Sequence, residues 1–370
     1  MLIYAAVAKK KQHMTAISLA LAGMITIWGF NTTFNTYMFF HGYAAMVMWA
    51  IVILLYMIPN AIFTAELGSY FRKQEGGVRA WVQATTNKNL AYLTGWMFWI
   101  FFLPVAAQKP SRILVAMTWA IRGNGVTDFE NPLIPIGICL VIMIVGFIFA
   151  DRGVGIFKAL STTIGFASLF MLLFFVVSML RAPFMVSPDM LNLDFSTDAL
   201  NPFDHADWIV NLCMLVYAAG STTMLTPYAS ETKSAKVFRR GIYLVVVIVT
   251  IGFVIGTLAV GLMFSPEDTR ENFVANGPYE AFLYIGTYLG IGNTLQIFYA
   301  VTEALMQFAS FVIAISSPIM IFLNGIEEKY LPKIFYHRSS GGSPIFAYAF
   351  SFAVVGILVV IPMLGLGNVG

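Results

Sequence analysis

The chain has 370 residues, of which 59% are hydrophobic and only 11% charged. A soluble domain carries about 25% charged residues, so this composition excludes an ordinary soluble protein and points to a polytopic membrane protein. The net charge of +3 sits in loops between apolar runs and carries no signal for nucleic-acid binding.

The first residues, MLIYAAVAKKKQHM, lack a small-residue cleavage site after an apolar core and do not read as a cleavable signal. Met14 is a second candidate start. Nine spans are predicted, at 15–40, 43–70, 90–121, 133–150, 156–181, 206–231, 239–264, 290–326 and 344–364. Each run is long enough for a hydrocarbon core of about 30 Å. With a cytoplasmic N-terminus, the inner segments carry 16 basic residues and the outer segments three, Arg122, Arg181 and Arg270. That asymmetry predicts a multi-pass protein of the cell (inner) membrane with its N-terminus inside. Away from the span ends, four charged residues remain within spans: Glu66, Lys109, Arg112 and Glu303.

Span one contains GMITIWGFNTTFNT, Gly23 to Thr36. Gly29, Asn31, Thr32 and Thr33 crowd small and polar groups where lipid favours Leu and Ile. Backbone that leaves the helix at this depth is tolerated only in protein or against a wet cavity. The stretch is predicted to be a broken helix whose freed N–H and carbonyl groups hold a substrate, with Trp28 and Phe30 as aromatic lids. The competing reading is close helix packing through small residues.

Span two ends in AELGSYFRKQEGGVRAWV, Ala65 to Val82. It reads as a helix end, a turn at Gly76–Gly77 and a short amphipathic re-entry. This run resembles the A-E-L-G…G-G…W pattern of the amino acid–polyamine–organocation transporter superfamily, and within it the glutamate/GABA antiporter branch. The resemblance implies an all-α fold with a five-plus-five inverted repeat, broken at its first and sixth helices. Glu66 reads as a helix-end member of an inner gate.

Span three holds Lys109 with Arg112 a turn away, beside Pro104 and Pro110, which loosen the helix. A cation at this depth is a functional-site hypothesis by default. Two roles stand for Lys109: an ion pair with Glu303 of span eight, or a contact to substrate. The Arg152–Gly153–Val154 turn before span five also resembles the superfamily. Proton-coupled members place a lysine within span five. Here Lys158 lies at the mouth of the span and none lies deeper, which favours exchange. The loop at 182–207, with five aspartates including Asp189, is expected to form a structured outer cap.

In span six, Ala219-Gly220-Ser221-Thr222-Thr223 echoes Gly29–Thr33, with Tyr217 as a third candidate lid. The tail SETKSAKVFRRGI resembles the superfamily's E-x-K-N-P-x-R run, with Glu231 and Lys233 matching and the N-P pair absent. Many relatives carry a glutamate where Thr222 stands, so a glutamate-based gate does not carry over. EEKYLPKIF after span eight matches a further superfamily loop. The superfamily fold usually has more spans than nine, so the reading is one transmembrane domain over 1–370. Residues 15–181 form the first repeat and 206–364 an incomplete second one, lacking the last spans, as in a fragment.

No phosphate-cradling GxxxxGK[ST] run occurs. His13, His41, His205 and His337 are scattered, and Cys139 and Cys213 have no metal spacing. No enzyme, cofactor or metal role is expected. The expected function is secondary transport of an amino acid or amine, as an exchanger, by a monomer or homodimer in the lipid bilayer. A proton-coupled symporter is the alternative, and a non-transporting receptor or sensor the alternative from another class.

Overall fold

The computed structural model describes residues 13–364 except Glu75, Asp128, Glu130, Arg152, Gly153, 185–190, 266–272, Gly325, 327–329 and 339–343. Several sequence readings therefore lie outside the described residues: the choice between Met1 and Met14, the Arg152–Gly153 turn, Asp189, Arg270, the EEK run at 327–329 and the end at Gly370.

The described residues form an all-helical bundle with no β-strand, only two isolated bridges. Eight helices are long and apolar enough to cross a membrane. A ninth span is the pair α1 (Ala16–Ile27) and α2 (Phe30–Phe39), bent by 42° at its break. Span two runs through α3 (Ala44–Val52), a π-helical turn at Ile53–Met57 and α4 (Ile58–Tyr70). The short amphipathic α5 (Gly77–Thr85) follows, then α6 (Lys88–Arg122), α7 (Leu133–Asp151) and α8 (Val154–Arg181). Span six is α9 (Trp208–Ala219) continued by a 3-10 helix over Gly220–Glu231. Span seven is α10 (Ala235–Thr250), a π-helical turn at Ile251–Ile255 and α11 (Gly256–Gly261). The chain continues through α12 (Phe273–Tyr288), α13 (Thr294–Leu323) and α14 (Ile345–Met363). Among the described residues this gives eight candidate spans, or nine with the bent pair counted as one, in the predicted order.

Local chemistry accounts for the boundaries. Thr15, Asn87 and Ser234 each cap the helix that follows by accepting a backbone N–H, which satisfies one of the donors a helix start leaves open. The turn before α5 places Gly76 at φ +104, where a Cβ would strike the Arg79 guanidinium and the Asn324 carbonyl. Only glycine adopts that conformation at no steric cost, so the doubled glycine is a geometric requirement of the re-entry.

α13 is the central column. It is buried along most of its length and packs against α6, α8 and α12. α1 packs against α10 and α8. The outer cap is ordered where it is described: Tyr43 donates to the Asn192 carbonyl at 2.6 Å, and Asn192 N–H bonds the Leu262 carbonyl at 3.2 Å. Next to it the imidazoles of His41 and His205 stack at 3.7 Å. Burial, then the neighbouring His205, hold the His41 pKa below its ordinary value against an opposing pull from Asp207. A depressed folded-state value gives stability that is present above the unfolded pKa and lost as pH falls through the folded one. The cap is therefore expected to loosen below about pH 6.5. Amide exchange at 41–43 that stays constant from neutral to acid pH would contradict this.

Candidate functional site

The site is built at the end of α1. Trp28 and Gly29 leave the helix as extended backbone, with φ of −105° and −164°. The last carbonyls of α1 and the first N–H groups of α2 therefore lack partners within their own helices. Trp28 Nε1 donates to Thr33 Oγ1 at 3.1 Å, and Thr33 Oγ1 reaches the Gly252 carbonyl in the π-turn of span seven at 3.4 Å. The indole thus ties the break to span seven. A Cβ on Gly252 would lie 2.4 Å from Trp28 Nε1, so the ring fits only against glycine.

Phe30 covers the break. Its ring meets Trp28 at 4.8 Å, Phe175 at 5.4 Å, Phe282 at 5.3 Å and Tyr299 at 5.2 Å, all with edge-on geometry. Phe282 belongs to α12, an element that the sequence reading treated as an outer loop. Sixteen residues containing Pro278 are too few for a span. The helical signal was present nonetheless, since Tyr279, Phe282 and Ile285 share one buried face. Trp119 Nε1 ties α12 to α6 through Asn276 Oδ1 at 2.8 Å.

Below the break a polar chain crosses the bundle. Asn31 Nδ2 donates to Glu303 Oε1 at 3.4 Å, Gln307 Nε2 donates to the same oxygen at 2.7 Å, and Lys109 Nζ donates to Gln307 Oε1 at 3.1 Å. Lys109, Glu303 and Gln307 are all buried. The expected direct Lys109–Glu303 ion pair does not form, because Gln307 stands between the two charges. Arg112 hydrogen-bonds Gln108 at 3.3 Å and lies within electrostatic reach of Glu303, Tyr217, Tyr279 and Tyr299.

The second predicted break differs from the first. Ala219 and Gly220 keep right-handed helical angles, and the chain tightens into a 3-10 helix instead of unwinding. Short Ser and Thr side chains suit either outcome, and here the neighbours decide: Ser317 donates to the Met224 carbonyl, and Gly77 of α5 packs on Thr226. A 3-10 stretch within a helix commonly marks a hinge or strain. Ala219, Ser221 and Thr222 are buried, and the Thr222 hydroxyl has no hydrogen-bond partner.

The profile of the Amino acid permease family matches residues 12–369. The chain belongs to the amino acid permease family. It is similar to the aspartate/glutamate permease AcaP of Lactococcus lactis subsp. cremoris, with 31% identity over 92% of this chain and 71% of that protein. It is also similar to the inner membrane transporter YjeM of Salmonella typhimurium, with 22% identity over 96% of this chain and 75% of that protein. Among solved structures, a Na+-coupled sialic acid symporter in a substrate-bound outward-open state superposes with a TM-score of 0.57 at 12% identity, covering 96% of this chain and 75% of that one. The permease therefore shares the fold of an inverted-repeat secondary transporter, as the broken first helix led one to expect.

Two further predicted residues of the permease have partners other than Trp28 and Phe30. Tyr217 packs on Phe101 with tilted rings at 5.0 Å and opens onto a groove of about 1040 Å³ bounded by Tyr56, Met97, Val216, Gly220 and Thr223. Glu66 pairs with Arg239 of α10 at 3.2 Å, with both side chains about half exposed. An exposed pair of this kind contributes about 0–1 kcal/mol. Glu66→Gln is therefore expected to leave vesicle uptake and the thermal midpoint nearly unchanged; loss of uptake would make the pair a gate element. Lys158, the residue weighed as a proton switch, donates to the His13 carbonyl at 2.8 Å. Cys139 is buried and Cys213 exposed, both as free thiols.

Proposed function

We propose that this permease carries an acidic amino acid by alternating access around the Trp28–Gly29 break, exchanging it for a second amino acid or amine. The observation that carries the reading is the charge balance beside the break. Two midspan cations, Lys109 and Arg112, face a single carboxylate, Glu303. Charges at this depth are costly unless function needs them, and an excess of one cation suits a substrate with one extra negative group. Similarity to a protein described as an aspartate/glutamate permease supports the same substrate class. The α-carboxylate would meet the open N–H groups at the start of α2, and the ammonium would meet the last carbonyls of α1. Engagement of Lys158 by a backbone carbonyl supports exchange over a lysine-switched symport. The surplus of basic residues in the N-terminal and alternate loops supports an N-terminus on the cytoplasmic side.

Proton symport is the second reading. It is favoured by the buried Glu303 carboxylate, which accepts directly from Asn31 in α2 and so links a titratable group to the break. Counterflow in proteoliposomes separates the two. Labelled aspartate or glutamate entering only vesicles preloaded with unlabelled substrate supports exchange. Uptake into empty vesicles under an imposed proton gradient supports symport. Absence of flux for either acid under both conditions would defeat the acidic-substrate reading.

A further inference from the structure

Gln307 is the member of the polar chain that no motif singles out. It lies one helical turn beyond Glu303 on α13 and is 3% exposed. Its partners fix its orientation. An ammonium has donors only, so the amide carbonyl must face Lys109; an ionised carboxylate has acceptors only, so the NH₂ must face Glu303. Glutamine is thus a neutral spacer that satisfies both charges without letting them meet.

That spacing has a chemical consequence. The Lys109 ammonium has three N–H donors, and Gln307 takes one of them. Direct pairing with Glu303 would form a stronger, charge-assisted bond and quench the positive charge next to the break. With a neutral amide in between, the ammonium is not joined to a carboxylate and has donors to spare. Met306 lies between Glu303 and Gln307 in sequence, and its Cε is 3.6 Å from where a Cβ on Gly29 would sit. This places the turn of α13 that carries the spacer directly beneath the break.

We propose that Gln307 determines substrate class: it withholds Glu303 from Lys109 so that the ammonium remains available to the distal carboxylate of an acidic amino acid. This rests on the acidic-substrate reading above. It goes beyond that reading by assigning selectivity to a neutral residue that itself recognises no charge.

The test uses two variants of the full chain in proteoliposomes, with uptake of labelled aspartate and labelled asparagine measured in the same vesicle preparation. Q307E puts a carboxylate on Lys109. The swap Q307E/E303Q does the same while keeping one carboxylate and one amide in the chain, so its net charge equals that of the parent. Both are expected to lower the aspartate-to-asparagine uptake ratio at least about tenfold, in line with the strength of a charge-assisted bond. A parent-like ratio in Q307E, or full recovery of the ratio in the swap, would overturn the proposal, the latter because net charge and not spacing would then decide. The ratio does not depend on how much protein inserts, and if Q307E fails to insert, the swap decides alone. If the parent itself carries no acidic amino acid, it is the underlying reading that fails.

Discussion

Lys109→Ala is expected to abolish uptake, lowering the initial rate at least about a hundredfold. The size follows from what the substitution leaves behind. The buried Gln307 carbonyl loses its donor, and an unsatisfied buried acceptor costs about 1–3 kcal/mol. The same substitution removes the cation proposed to receive the distal carboxylate, so binding and positioning fail together. Lys109→Arg is not expected to rescue, since a planar five-donor fork does not replace a compact ammonium in a buried site. Detergent-solubilised protein that remains monodisperse would show that the loss is not one of folding. Uptake equal to the parent in Lys109→Ala would remove Lys109 from the proposed substrate site.

The second large effect concerns a residue with no side chain. Gly252→Ala is expected to lower the transport rate at least about tenfold while leaving the bundle assembled. The added methyl would lie 2.4–2.8 Å from three atoms of the Trp28 indole. Overpacking of that kind typically costs 1–3 kcal/mol, and the ring that must move is the one holding Thr33 across the break. Gly137→Ala in α7 is the matched control: nothing lies within 4 Å of its added Cβ, so the usual gain of alanine over glycine in a helix, about 1 kcal/mol, should appear as unchanged or higher thermal stability with normal uptake. Parent-like transport in Gly252→Ala would show that Trp28 need not keep its place.

Much of this architecture was legible because the bilayer penalises polarity so severely. Gly29, Asn31, Thr32 and Thr33 in an otherwise apolar run could only mean disrupted or shielded backbone, and the chain is indeed extended at Trp28 and Gly29. Gly76 and Gly77 announced the turn into α5 for the equally direct reason that φ is positive at both. The second site was less legible. Gly-Ser-Thr-Thr at 220–223 shares the composition of the first break, yet composition does not choose between a gap and a 3-10 helix; packing against α5 and α13 does, and that is long-range. The neighbour of Tyr217, Phe101 of α6, was out of reach for the same reason, since a helical face is known only once the next helix stands beside it. α12 was hidden by its length. Gln307 was overlooked because it is neutral, although its spacing of four from Glu303 puts both on one helical face. The charges of the polar chain could be found by counting, whereas the group that keeps them apart could only be seen.

The start of span one is laced to the ends of two other spans. Met14 N–H bonds the Glu231 carbonyl at 2.8 Å, Met14 and Thr232 form a parallel bridge, and Lys158 of α8 bonds the His13 carbonyl at 2.8 Å. Under the alternating access proposed above, opening on this side would undo that lacing. Two such bonds contribute about 1–3 kcal/mol net, a bias of about 5- to 150-fold between shut and open. A contribution of that size is within reach of the differential affinity of one bound substrate for two states, so the His13 and Met14 backbone contacts are a place where the alternating access proposed above would be biased.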